Sequence, residues 1–193
     1  AMIKGLLRQG MVVPNNVVAS GPRPERGQEL FDRYAVRTTT DNVEAVEGAE
    51  IVVLSVKPQV LCPVLEELGG HVASTALVLS IVAGAQTETI QRMLQVPAVV
   101  RVMPNTPAQI GLGISVWTAS DDVDAGGWQR ATTLLGAFGT DEYVSHENEI
   151  EHALALAQGE EQRGGEHRHQ PGMLGQKLPA GAQGHVAPVP GQV

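Results

Sequence analysis

Between residues 17 and 144, short continuous apolar runs alternate with segments of helical period, the pattern of strand–helix–strand units wound about a parallel sheet. Runs at 17–20, 51–55, 76–81 and 98–103 are too short for helices and rich in aliphatic residues, so they are expected as strands. A minor strand is expected near 35–38. Residues 24–34 read as a helix opening on Pro24, and 58–68 as another, with Val60, Leu61, Val64, Leu65 and Leu68 on its buried stripe. Pro63 interrupts that second segment and leaves its start uncertain by a few residues. Thr87 is expected to cap a helix whose inner face is Ile90, Met93 and Leu94. A further helix begins near Asp124 and turns Trp128, Ala131, Leu134, Leu135 and Phe138 inward, while the β-rich segments 111–118 and 140–144 extend the sheet. The expected fold is α/β, a Rossmann-like doubly wound and mainly parallel sheet.

The pattern stops near Glu151. Residues 158–193 are crowded with Gly, Gln, Pro and His and have neither period, too little apolar surface to offset the entropy of ordering. Two regions follow: 1–150 as a Rossmann-like dinucleotide-binding domain, and 151–193 as a disordered tail.

With 193 residues, one well-buried core is the default, and a formal charge of −8 argues against a nucleic-acid surface. Cys62 is the only cysteine, so an internal disulfide is excluded, and it is expected as a small core residue. No apolar run approaches the roughly 20 residues of a membrane helix, and no secretory leader is evident; a cytoplasmic location is expected. The histidines show no ligand spacing with Cys or carboxylates, so no metal site is assigned, and no nucleophile elbow or catalytic dyad is present.

In doubly wound sheets the ligand crevice lies beyond the carboxyl ends of the strands, where Ser20, Ser55 and Ser80 fall. Each alone reads as an ordinary strand end or helix cap, but the loops that follow favour a cofactor. After the first recognisable strand comes Ser20-Gly21-Pro22-Arg23, without the acidic residue that usually binds a ribose 2′-hydroxyl. A hydroxyl with Arg23 and Arg26 at a helix start suits a 2′-phosphate instead, the alternative being a solvated Arg pair. Lys57 lies where a cation can face a cofactor phosphate or a substrate carboxylate, or simply solvent. Asn105, between Pro104 and Pro107, is presented in a fixed direction, for a ligand or for local backbone groups.

Several motifs together resemble the pyrroline-5-carboxylate reductases. They are Gly5-Leu6-Leu7, Asn42-Val43-Glu44-Ala45, Val56-Lys57-Pro58, Ser80 to Gly84, and Arg101-Val102-Met103-Pro104-Asn105-Thr106-Pro107. The resemblance implies a Rossmann domain that binds NADPH or NADH, a helical domain that dimerises, and hydride transfer to the C=N carbon of 1-pyrroline-5-carboxylate, giving proline. Carried over by position, Ser20 serves the adenosine-side phosphate and Asn42 the adenosine, and Pro22 and Arg23 are counted with Ser20 as cofactor-binding residues. Ser55, Val56, Lys57 and Pro58 line the dinucleotide with Ile81, Val82 and Ala83, and Asn105 borders the nicotinamide end. No protein acid or base is required if the imine arrives protonated.

This chain departs from the family at both ends. The family opens with a strand and a Gly-x-Gly-x-x loop before its first helix, whereas here Ala1 to Gly5 already lie within that helix. The pyrophosphate turn and a central strand are therefore expected to be missing, with unpaired, aggregation-prone sheet edges left behind. After Ile150 the family's Ser-Gly-Ser-Gly-Pro-Ala-Tyr region and long helices are replaced, as if by a frameshift, so the dimerisation domain is expected to be absent. Two alternatives stay open beside an active reductase: a weakly nucleotide-binding remnant, and another NAD(P)-dependent imine or acid reductase.

Overall fold

In the computed structural model, residues 2–105, 113–137, 139–150 and 152 are described. Strands β1 (Val18–Ser20), β2 (Arg37–Thr39), β3 (Ile51–Leu54), β4 (Leu77–Ser80), β5 (Val99–Pro104), β6 (Gly113–Ala119) and β7 (Gly139–Tyr143) alternate with helices α1 (Met2–Arg8), α2 (Pro24–Tyr34), α3 (Asn42–Val46), α4 (Pro58–Leu68), α5 (Thr87–Leu94) and α6 (Ala125–Gly136). Five strands form one sheet in the order β3-β4-β5-β6-β7, and β1 pairs with β2 in a separate parallel pair. Within the larger sheet β3, β4 and β5 are parallel, β6 is antiparallel to β5, and β7 is parallel to β6.

Strand periodicity divides the core into two layers. Val52, Leu54, Val78 and Val99 pack with Leu61, Leu65 and Leu68 of α4 and with Ile90 and Leu94 of α5. On the opposite face Leu77, Leu79, Val100, Val102 and Trp117 meet Ala131, Leu134 and Leu135 of α6, with Met2 and Leu6 of α1 packed against them. Helices thus cover both faces, and β4 is buried at every position. This is the expected doubly wound α/β arrangement, and the two-sheet division leaves β1 and β3 unpaired with each other.

Backbone constraints explain the sharpest boundaries. Proline opens both α2 and α4, its fixed φ suiting the first helical position. Pro63 lies within α4, which nonetheless runs unbroken from Pro58. Gly139 has φ +132° and stands so close to Gly113 that an added Cβ would lie 2.2 Å from its carbonyl oxygen, which makes glycine obligatory where β7 joins β6.

Three expectations are corrected. Cys62 is exposed, and so is Val60, because the α4 stripe that meets the sheet is Leu61, Leu65 and Leu68. Neither lies on the i, i+4, i+7 row that Leu61 begins. Thr87 is the first residue of α5 and Gln86 its N-cap, since the Thr87 hydroxyl bonds Glu147 instead. Phe138 and all of 151–193 except residue 152 lie outside the described residues, as does the tail assigned there.

Candidate functional site

Ser20 closes β1, Ser55 follows β3 and Ser80 closes β4, so all three stand at carboxyl ends of parallel strands. Their environments differ. Ser20 and Ser55 are exposed, whereas Ser80 is buried and its Oγ accepts the Val82 amide proton at 3.3 Å. Ser80 therefore shapes the turn into α5. Gly84, at φ +72°, completes that turn in the left-handed region. Ile81 is half-buried, Val82 buried and Ala83 exposed.

The helices that follow the strands differ at their starts. In α3 the Asp41 carboxylate accepts the amides of Val43 and Glu44 at 2.8 and 3.0 Å, and in α6 Asp124 accepts that of Gly127 at 2.6 Å. By contrast α2, preceded by Arg23, and α4, preceded by Lys57, have no side-chain cap. Each follows a strand of the carboxyl edge, so two helix N-termini offer their positive ends there beside an exposed cation. Val56 is half-buried and Pro58 exposed, which leaves the backbone of the Ser55 to Pro58 loop accessible.

Around the start of α2, Arg23, Glu25, Arg26 and Glu29 line a shallow depression of about 360 Å³. Arg26 pairs with Glu29 one turn along, so one of the two arginines expected to meet phosphate already has a carboxylate partner. Pro22 is exposed beside Arg23. Ser20 and Asn42 are brought together: the Ser20 hydroxyl donates to Asn42 Oδ1 at 2.8 Å. Asn42 Nδ2 in turn donates to Glu67 Oε2 of α4, also at 2.8 Å. Glu67 was not legible as a site residue, since nothing in its own segment marks it.

At the end of β5 the Asn105 amide donates to the Ile114 carbonyl at 3.1 Å, and its Oδ1 accepts the Ile114 amide at 3.0 Å. The first bond is made by the Asn105 backbone and the second by its side chain, and the second sets the carboxamide orientation. Nδ2 is buried and finds no acceptor among the described residues, and a donor so placed costs about 1–3 kcal/mol unless something supplies one. Thr106 and Pro107 of the same motif lie outside the described residues.

Four residues before Asn105, Arg101 is buried and pairs with Glu147 at 3.2 Å. Glu147 also accepts the backbone amide and the hydroxyl of Thr87 at 3.1 and 3.3 Å, tying the segment after β7 to β5 and to the start of α5. The sequence marks Arg101 only as part of a motif, because its partner is far along the chain.

The sheet order and the helices on both faces are those of a Rossmann-like α/β domain, and residues 1–84 match the family described as NADP oxidoreductase coenzyme F420-dependent. The chain is similar to pyrroline-5-carboxylate reductases over most of its length. It is 37% identical to the enzyme of Vibrio alginolyticus over 158 residues, 81% of this chain and 58% of that one. The Corynebacterium melassecola enzyme is 35% identical over 161 residues, 81% of this chain and 59% of the relative. Among solved structures, that of a pyrroline-5-carboxylate reductase from Coxiella burnetii superposes with a TM-score of 0.74 at 31% identity, covering 80% of this chain and 58% of that one. The Plasmodium falciparum pyrroline carboxylate reductase, solved with NADP bound, shares the fold at a TM-score of 0.70 and 20% identity, covering 84% of this chain and 59% of that one. The chain thus spans just under three fifths of the length of these relatives. No helix among the described residues is long and apolar enough to cross a membrane.

Proposed function

We propose that this chain is the dinucleotide-binding part of a reductase that forms L-proline from 1-pyrroline-5-carboxylate, as the names of its relatives suggest. The observation that carries the reading is Asn105: a carboxamide fixed at the end of β5, within a motif that resembles the family's, with a buried donor that lacks an acceptor among the described residues. An orphaned donor at a strand end fits a bound ligand bearing oxygen acceptors.

In this reading the adenosine end lies at Ser20, Pro22, Arg23 and Asn42, and the uncapped start of α2 with Arg23 faces phosphate. Ser55, Val56, Lys57 and Pro58 line the middle, the uncapped start of α4 and the Lys57 ammonium offsetting pyrophosphate charge. Ile81, Val82 and Ala83 bound the far side, and Asn105 orients the nicotinamide end. When bound, NADPH or NADH supplies a hydride to the imine carbon. The chain's own residues hold the reacting groups in place and exclude water, and none is assigned as acid or base.

Purified chain mixed with NADPH and pyrroline-5-carboxylate should lose absorbance at the reduced-nicotinamide band and form proline. Absence of turnover with dinucleotide binding intact would replace this reading by a second one, a nucleotide-binding fragment without activity. One observation favours that second reading: β1–β2 is not hydrogen-bonded to the larger sheet.

A further inference from the structure

The side chains of Ser20, Asn42 and Glu67 form a relay with a defined direction. A carboxylate only accepts, so Asn42 must turn Nδ2 to Glu67 Oε2, at 2.8 Å. Its Oδ1 then faces Ser20, and because a carbonyl oxygen also only accepts, the single hydroxyl proton of Ser20 is committed to it, again at 2.8 Å. Ser20 Oγ is left to meet a ligand with lone pairs alone.

We propose that Glu67 is a specificity-determining residue of the dinucleotide site, holding Ser20 as an acceptor toward a ribose 2′-hydroxyl and against a 2′-phosphate. The inference rests on placing the adenosine end of the cofactor at Ser20. A 2′-hydroxyl has a proton to donate to Oγ; a phosphate near neutral pH has mainly acceptor oxygens and needs donors. To turn the Ser20 proton outward, Asn42 would have to lose its bond from Ser20. To present Nδ2 to the phosphate instead, it would have to set its own carbonyl against the Glu67 carboxylate.

Charge acts in the same direction. Glu67 is two hydrogen bonds from Ser20, within a screening length of about 8 Å at physiological salt, so its charge also opposes a phosphate there. Of the two arginines at the start of α2, Arg26 is paired with Glu29, which leaves Arg23 as the counterweight. Helix stability does not explain Glu67, since a carboxylate in the last turn of α4 opposes the helix dipole.

The test is to measure dissociation constants of NADH and NADPH by cofactor fluorescence for the 193-residue chain and its Glu67→Gln, Glu67→Ala, Ser20→Ala and Ser20→Ala/Glu67→Ala variants. Glu67→Ala should shift the NADPH-to-NADH affinity ratio toward NADPH by about tenfold, the equivalent of one hydrogen bond. Glu67→Gln, which keeps the length and loses the charge, should shift it less, and in the Ser20→Ala background the Glu67 effect should largely vanish. Both dinucleotides binding with an unchanged ratio in Glu67→Ala and Glu67→Gln would overturn the relay while leaving the dinucleotide site in place. An undiminished shift in the Ser20→Ala background would also overturn it, reducing Glu67 to a remote charge. No binding of either dinucleotide by the unaltered chain would overturn the dinucleotide reading itself, and the relay with it. Glu67 is exposed, and unchanged far-ultraviolet circular dichroism in each variant is the control for folding.

Discussion

The β3–β7 sheet and the β1–β2 pair are built from the same kind of unit, yet they are stabilised very differently. Leu65, Leu79, Ile90, Leu94, Val99 and Leu135 are wholly buried around the first, while α2 contributes no buried residue to the second and leaves Phe31 53% exposed. Of the short segment from β1 to β2, Val36 is the residue that reaches the interior. A parallel sheet needs apolar cover on both faces, and the larger sheet has it. The smaller pair instead relies on capping and side-chain hydrogen bonds, which contribute about 1 kcal/mol each and exchange readily with water. Residues proposed for the adenosine end therefore sit on the more weakly anchored half.

The strongest challenge to that contrast is a matched pair of truncations. Leu79→Ala, in the centre of the large sheet, should cost about 3–5 kcal/mol in denaturant unfolding, whereas Val18→Ala in half-buried β1 should cost about 1 kcal/mol or less. Equal losses would mean that the two regions share one core. Next in size is Gly139→Ala, which forces a Cβ onto the Gly113 backbone and should cost about 2–3 kcal/mol, with hydrogen-exchange protection lost mainly at the β6–β7 edge.

A smaller and more local effect is expected for Asp41→Ala. Loss of the cap on α3 should remove about 1 kcal/mol, seen as faster amide exchange at Val43 and Glu44 with little change in β4. If β4 amides accelerate equally, α3 is part of the global core rather than a strut for the smaller pair.

The least effect concerns alkaline pH. Tyr143, against Trp117 and Trp128, has its phenol raised above the ordinary 10.0 by desolvation first and by Asp121 second, partly offset by a hydrogen bond with Thr118. Its native form holds the proton longer than its unfolded form. The associated stability is therefore complete below the ordinary phenol value and is lost as pH rises toward the native one. Absorbance titration at the phenolate band should show a late step that Tyr143→Phe removes.

How far the sequence carried the fold depends on whether the deciding contact is local. The bounds of α2 and α4 match the expected 24–34 and 58–68 because proline sets each start from within. The Asp124 start of α6 was legible for the same reason, a cap three residues from its target. Thr87 was misassigned because its hydroxyl partner, Glu147, comes from beyond β7. Val60 is exposed because a helix stripe predicts a face but not how wide the contact with the sheet will be, and Cys62 because its residue type alone does not say which face of α4 it occupies. In the candidate site, strand-end residues such as Ser20 and Asn105 were visible from motif and position. Glu67 and the Asn105–Ile114 clamp were not, since both depend on pairings made only in the folded chain.

The lack of hydrogen bonding between the two sheets also has a thermodynamic consequence. A ligand that touches Ser20 and Asn105 together would add noncovalent links between halves that no strand pairing joins, and every link made only in the folded state adds to its stability. At a ligand concentration one hundred times its dissociation constant the gain is about 2.7 kcal/mol, comparable with the loss from a core truncation. For this chain a melting curve is thus also a binding isotherm.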